Sequence, residues 1–392
     1  MKKVLFLIHT LGGGGAEKVL VNLVNGMDKN KYQVTVMTVI DTGIFRKDLH
    51  EDITYKSIIK NPFKKKKKLD ENNPGNLLSK SDSKLKVLAK LYVKLWKIIP
   101  TSWVYRLVIR EKFDVEIAFL EGICAKLISS STNKESKKIG WIHVDLLNHP
   151  KSEAVFRNFD EEKRCYDRFN QIVCVSEFVK QSIDKKFNLD PEKVIVRYNA
   201  INKEEIISKS LENVEDLVKG ERFTFCTIGR LINQKGFDRL LNVYKELISQ
   251  GYECDLWIIG EGNKRPELES LIVKYKLQDY VKLLGFKVNP YKYLRLADAF
   301  VCSSRAEGFS TVASEAVVLG KPIVTVNCSG MTELLGNNNE YGIVTENNEV
   351  ELLEGMIKIL DRVTYDEYVK RVQQRADFFS FENAVKNIEE LC

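Results

Sequence analysis

The sequence predicts an α/β protein built from two doubly wound parallel sheets. Apolar, β-branched runs alternate with helical patterns along the chain, the signature of βαβ units and parallel strands. The alternation breaks once, in a polar, charged stretch that follows "KVIVRYNAIN" (193–202) and runs to Glu221, and then restarts. Both halves open alike, with an apolar strand that enters a glycine-bearing loop and then a helix. The 392 residues, 44% of them apolar, suffice for two cores.

In the first half the strands are "KVLFLIHT", "QVTVMTVID", "VEIAFLEG", "KKIGWIHVD" and "QIVCVSE", each a compact apolar run. "GAEKVLVNLVNGM" and "EFVKQSIDKKF" space their apolar residues for helices between them. After the break come strand "RFTFCTIGR", helix "GFDRLLNVYKELISQG", strand "CDLWIIGEG" and helix "KRPELESLIVKYKL". Strands "YVKLLGF" and "DAFVCSS", the helix "VASEAVVLG" and strand "PIVTVN" complete the pattern. "SFENAVKNIEEL" reads as a final helix. The expected division is 1–203, 204–375 and a C-terminal segment 376–392 that crosses back to the first domain. In such sheets ligands bind outside the carboxyl ends of the strands, so a cleft between two sheets is the natural site.

Several function classes are excluded. The start, "MKKVLFLIHTLGGGG", has too short an apolar run and no small-residue cleavage site for a signal peptide. No apolar stretch reaches the roughly 18–20 residues of a membrane span. The eight cysteines are scattered without a Cys-x-x-Cys pair, and Cys174, Cys226, Cys254 and Cys302 sit in apolar runs. This predicts reduced, buried thiols in a cytosolic protein. His143 and His149 do not make a metal pair, and no Asp-x-Asp occurs, so no metal or other cofactor is expected.

The net charge of +7 is concentrated. From Lys56 to Lys112 there are sixteen Lys or Arg against four acids, which leaves the rest of the chain net negative by five. The patch, at about 60–112, contains the run Lys64–Lys68 and then "KLKVLAKLYVKLWKIIP". In a helix, Lys86, Lys90, Lys94 and Lys97 share a sector of about 80° opposite the apolar residues. Such a helix either packs on a core with a solvated lysine face or docks, with Trp103 and Tyr105 close behind, on an anionic membrane surface. No nucleic-acid partner is expected.

Two stretches carry chemistry. In "GRLINQKGFDRLL", Arg230 and Lys235 flank a strand-end loop and Gly236 opens a helix, a setting that suits a diphosphate. In "AEGFSTVASEAVVLGKP", Glu307 precedes a helix capped by Ser310 or Thr311, and Glu315 stands about one turn inside it. Gly308, Ser310, Thr311 and Ala313 let a ligand approach the backbone closely. Spacing alone leaves three readings of the two glutamates: unrelated surface acids, a general acid–base pair, or hydroxyl binders on either side of an anion.

Together these stretches resemble the retaining glycosyltransferases of family 4 (group 1), including bacterial capsular and exopolysaccharide enzymes, which have the GT-B fold. The resemblance rests on the two stretches above, on "WIIGEGNKRPELE" and on the Glu-x7-Glu spacing. It extends to "LGGGGAEKVLVNL", "WIHVD", "IVCVSEFVK" and "VRYNAIN", covering nearly all of the chain except the basic insert. It implies two Rossmann-like domains facing a deep cleft, and a hexose or N-acetylhexosamine moved from a UDP-sugar to a glycan, often lipid-linked. Arg230 and Lys235 would hold the donor diphosphate in place of a metal. Glu315 would bind the ribose. Glu307 would contact the transferred sugar, with Gly308, Phe309, Ser310 and the helix start at Thr311 shaping its pocket. Phe286 and Lys287 would lie at the base. Gly14 and Gly15 would approach the diphosphate or the acceptor, and His143 would face the sugar unless it is simply a buried strand-end histidine. The catalytic set implied is Glu307, His143, Arg230 and Lys235, in an enzyme on the inner face of the cell membrane. Two alternatives stay open: a nicotinamide-dependent oxidoreductase, although "GGGGAEK" does not meet Gly-x-Gly-x-x-Gly, and a non-catalytic nucleotide-sugar binder.

Overall fold

The structure, a computed structural model, describes residues 1–60, 93–148 and 150–392. These divide into two units. One contains the described residues up to Ala200 together with Phe381–Cys392, and the other is Ile201–Ser380.

The first unit runs β1 (Lys2–Ile8), α1 (Gly15–Gly26), β2 (Tyr32–Ile40), β3 (Thr54–Ile59), α2 (Thr101–Val108), β4 (Val115–Ala118), α3 (Ile123–Ile128) and β5 (Lys137–Ile142). It continues with α4 (Phe159–Asp167), β6 (Gln171–Cys174), α5 (Glu177–Phe187) and β7 (Val194–Val196). The strands form one parallel sheet, ordered β3-β2-β1-β4-β5-β6-β7. Val4 through Ile8 have no exposed surface, as a central strand covered on both faces requires. Its neighbours are β2 (Val4↔Val34) and β4 (Val4↔Val115).

The second unit runs α6 (Lys203–Ser210), β8 (Phe223–Ile228), α7 (Phe237–Ser249), β9 (Cys254–Ile259), α8 (Arg265–Lys274), β10 (Val281–Gly285), α9 (Tyr291–Leu296) and β11 (Ala299–Cys302). Then come α10 (Thr311–Val318), β12 (Ile323–Val326), α11 (Met331–Leu335), β13 (Ile343–Thr345), α12 (Glu349–Leu360) and α13 (Arg362–Arg375). Its sheet, again parallel, is ordered β10-β9-β8-β11-β12-β13. Each sheet therefore reverses its winding once, at β1/β4 and at β8/β11.

The last helix, α14 (Phe381–Leu391), belongs to the first unit. Gly26 of α1 lies directly beneath it: a Cβ there would come 2.6 Å from Val385 Cγ2. Glu389 accepts from the Asp28 amide (2.7 Å) and, through its carbonyl, from the Tyr32 hydroxyl (3.1 Å).

Some elements were invisible to periodicity. β3, at the sheet edge, is "TYKSII", where half-exposed polar residues hide the strand pattern. The stretch taken as a polar break begins with α6, set by the Asn202 side chain accepting from the Glu205 amide (3.0 Å), with Ile206 as its buried apolar anchor. The Lys64–Lys68 run and the lysine-faced helix up to Tyr92 lie outside the described residues. Residues 93–98 are helical. Here Trp96 is buried while Leu95 and Ile98 are exposed, so this part of the apolar side is not all core. All eight cysteines are free, and seven of them are buried.

Candidate active site

The second unit's site grows from its winding switch, where the loops after β8 and β11 leave neighbouring parallel strands on the same edge. These loops, 229–236 and 303–310, are tied together. The Arg305 amide donates to the Gln234 carbonyl (2.8 Å), and the Gln234 side chain donates to the Ala306 carbonyl (3.1 Å). The Ser303 hydroxyl bridges to the carbonyls of Lys235 and Gly236 (3.1 Å each). Gly236 has φ +65° and its missing Cβ would fall 2.2 Å from the Ser303 carbonyl oxygen, so only glycine permits this approach. Beneath, the buried Arg239 of α7 donates to the carbonyls of Ser303 (2.6 Å) and Ser304 (2.9 Å). Arg305 forms a two-pronged pair with Asp238 (2.8 Å on each arm), which holds that carboxyl below its usual range.

This frame presents a cation beside a carboxylate. Lys235 Nζ lies 2.6 Å from Glu307 Oε1, and the same oxygen accepts from the Ser304 hydroxyl at 2.5 Å. Burial is the largest influence and works to lower the Lys235 pKa, but the Glu307 charge and hydrogen bond, together with Cys302, hold the ammonium above its ordinary range. Arg230 is exposed at the start of the loop, near enough for its charge to act on Lys235. The Cys302 thiol at the end of β11 is pulled down to about 6, chiefly by the Cys328 thiol hydrogen-bonded to it, against burial. Ser310 caps α10, its hydroxyl accepting from the Ala313 amide at 3.3 Å. One turn on, Glu315 is buried and its Oε1 accepts from the Tyr291 hydroxyl at 2.9 Å. The arrangement joins two cations, a helix start and two carboxylates facing different neighbours, which suits an anion carrying hydroxyls.

Other residues predicted for the site divide. Gly308 and Ser310 are buried in the loop frame and Thr311 is half-buried, while the Phe309 side chain is 5% exposed, leaving mainly its backbone to meet a ligand. Phe286 is half-buried just after β10. The Lys287 ammonium is committed to Asp216, which also accepts from the Tyr293 hydroxyl at 2.6 Å. Periodicity and motif missed Arg239, Ser304 and Tyr291. Arg239 sat in plain view in "KGFDRLL", but nothing marked it as pointing into the loop frame.

The first unit has a corresponding switch at β1/β4. Leu11 anchors the glycine loop, its amide donating to the Thr42 carbonyl (3.0 Å) and its carbonyl accepting from Phe45 (3.1 Å). Gly14 caps α1, but Glu17 folds back over it: a Cβ on Gly14 would lie 2.3 Å from Glu17 Oε2. An acid at the third helical position, reaching back to the cap, satisfies helix-start donors. It also lies over Gly14, one of the two glycines expected to approach the diphosphate or the acceptor. Behind it, burial raises the Glu121 carboxyl and the Glu17 charge adds to the effect. Glu121 accepts from the His143 amide at 3.3 Å. The His143 ring stacks on Trp141 (centroids 6.3 Å apart) and donates to the Phe119 carbonyl, and Nε2 is buried with no partner in the described chain. Because the proton sits on the other ring nitrogen, Nε2 is an acceptor. Burial pushes the ring's pKa down to about 3.

Residues 208–376 match the family described as Glycosyl transferases group 1. Over 391 residues the chain is 27% identical to the N-acetylgalactosamine-N,N'-diacetylbacillosaminyl-diphospho-undecaprenol 4-alpha-N-acetylgalactosaminyltransferase of Campylobacter jejuni, covering 97% of this chain and 96% of the relative. It is 26% identical to the amylovoran biosynthesis glycosyltransferase AmsD of Erwinia amylovora over 58% of this chain and 61% of that one. Among solved structures, Anabaena HepE in complex with UDP and glucose superposes with a TM-score of 0.73 over 100% of this chain and 99% of HepE, at 18% identity. Staphylococcus aureus TarM gives 0.71 over 100% and 99%, at 14% identity. These likenesses show the GT-B fold.

Proposed function

We propose that this chain, a GT-B glycosyltransferase of polysaccharide synthesis with a group 1 domain at residues 208–376, is a retaining transferase that moves a hexose or N-acetylhexosamine from a UDP-sugar to a lipid-linked glycan. The observation that carries the reading is the Lys235–Glu307 contact (2.6 Å) between two stitched strand-end loops, beside the α10 start. When the donor's glycosidic bond breaks, negative charge grows on the departing diphosphate. Lys235, Arg230 and the helix start oppose that charge from fixed positions, so little reorganisation is needed as it develops. Glu307, held by Lys235 and Ser304, accepts from a hydroxyl of the transferred sugar. Glu315 accepts from the ribose. In the first unit, the neutral His143 Nε2 is an acceptor able to take a hydroxyl. A lipid-linked acceptor agrees with the substrate in the C. jejuni relative's name, and a UDP donor agrees with the ligands in the HepE structure.

The same reading gives the enzyme a membrane surface. Ile98, Trp103 and Leu107 are 61%, 69% and 68% exposed, and Lys94, Arg106, Arg110 and Lys112 lie exposed among them. Apolar residues of this size with surrounding cations suit an anionic bilayer interface. Among the described residues no helix is long and apolar enough to cross a membrane.

Incubating the protein with a panel of UDP-hexoses and UDP-N-acetylhexosamines and measuring slow UDP release tests the donor without needing the acceptor. Release from one donor class, lost in Lys235→Ala, is the expected result. Absence of release from every UDP-sugar, with an undecaprenyl-diphosphate hexosamine acceptor also present, overturns it.

A further inference from the structure

We infer that Tyr291 is a positioning residue for nucleotide recognition: its hydroxyl fixes the Glu315 carboxylate in the orientation that reads the ribose hydroxyls, and so sets the preference for ribose over deoxyribose. The inference rests on the reading of Glu315 as the ribose acceptor. Tyr291 opens α9, where its amide donates to the Asn289 side chain at 3.1 Å. Asn289 in turn donates to the Lys209 carbonyl at 2.7 Å, which ties the turn to α6. The ring is 5% exposed and Glu315 7%. Their 2.9 Å contact is a phenol O–H donating to a carboxylate in a place with little water to replace it.

A carboxylate on a two-carbon stem rotates about its last bond, and each orientation offers its oxygens differently. A buried donor on one oxygen restrains that rotation. Hydrogen bonds to ionised groups are also the strong and directional ones. Tyr291 therefore acts through Glu315 without touching the nucleotide. A carboxylate that has lost its donor still binds UDP, but distinguishes poorly between a ligand with both ribose hydroxyls and one lacking the 2′-hydroxyl.

Calorimetric titration of UDP and 2′-deoxy-UDP into the full-length wild type, Tyr291→Phe and Glu315→Gln tests this. The wild type should prefer UDP by about tenfold or more, the worth of one hydrogen bond to a charged acceptor. Tyr291→Phe should bring the ratio to about threefold or less while Kd for 2′-deoxy-UDP changes little, which a purely structural loss does not do. An unchanged ratio in Tyr291→Phe, with Glu315→Gln abolishing it, overturns the role of Tyr291 and leaves the ribose reading standing. An unchanged ratio in Glu315→Gln overturns the ribose reading itself. Should Tyr291→Phe fail to fold, 3-fluorotyrosine at position 291 keeps the shape and strengthens the phenol as a donor. A stronger donor should hold the carboxylate at least as well, so the ratio should stay at or above the wild-type value, and a fall to about threefold or less overturns the proposal.

Discussion

Lys235 and Glu307 each make sense only in the company of the other. A buried ammonium is costly unless a carboxylate accompanies it, and a carboxylate placed to meet a sugar needs a fixed anchor. Removing either leaves an uncompensated charge in the loop frame, so Lys235→Ala should lower kcat/KM by about 10²-fold or more, measured by UDP release at saturating acceptor. Glu307→Gln keeps the shape and should reduce kcat more than it weakens UDP binding. Gly236→Ala should fail differently: it drives a methyl into the Ser303 carbonyl and should lower stability as well as activity. His143 carries a pH signature. Folded, its pKa is about 3 against 6.5 for the free side chain. As pH falls below 6.5 the unfolded chain takes up a proton that the folded one refuses, so its contribution to stability is lost from there downward. A urea midpoint measured from pH 7 to pH 4 should fall less steeply in His143→Asn than in the wild type. At this scale the sequence revealed the charged partners through their motif company. It hid Tyr291, Ser304 and Arg239, whose importance lies in which carbonyl or carboxylate they reach after folding.

At the scale of elements, the buried strands and the amphipathic helices α1, α5, α7, α8 and α14 were legible because periodicity is a direct imprint of which face is covered, whereas the long α12 and α13 went unread. Thus β1, β8 and α7 fall where the apolar runs put them. Elements whose burial is partial or total at short length were not legible: β3 on an exposed edge, three-residue β13, and α3, whose "ICAKLI" is buried all round and has no polar face to betray a helix. The Ser310 cap of α10 was legible from residue type, and Ser310→Ala should cost about 1 kcal/mol of stability and weaken UDP binding together. Helix α2 gives the membrane proposal its test. Trp103→Ala with Leu107→Glu should reduce co-sedimentation with anionic liposomes several-fold while UDP release in solution stays at the wild-type rate. Equal sedimentation of wild type and variant argues that this face serves some other partner.

For the whole molecule, the two sheets with one switch each follow from βαβ alternation and its single interruption. The match of residues 208–376 to the group 1 glycosyltransferases weighs against the oxidoreductase that the glycine loop also suggested. The return of α14 to the first unit was expected from the fold and could not be read from periodicity, which says nothing about which sheet a terminal helix covers. Ile388 of α14 is 1% exposed against that unit. Ile388→Ala should cost about 2–4 kcal/mol in urea unfolding of the first unit and leave UDP binding near the wild-type Kd. The second unit's switch loops should grip a UDP-sugar and deliver it with retention. Proton NMR of the first product formed from a UDP-α-sugar and a lipid-diphosphate-linked hexosamine reads both parts at once. An α-linked product, absent with Lys235→Ala, is the predicted result, whereas a β-linked product or full turnover without Lys235 contradicts it.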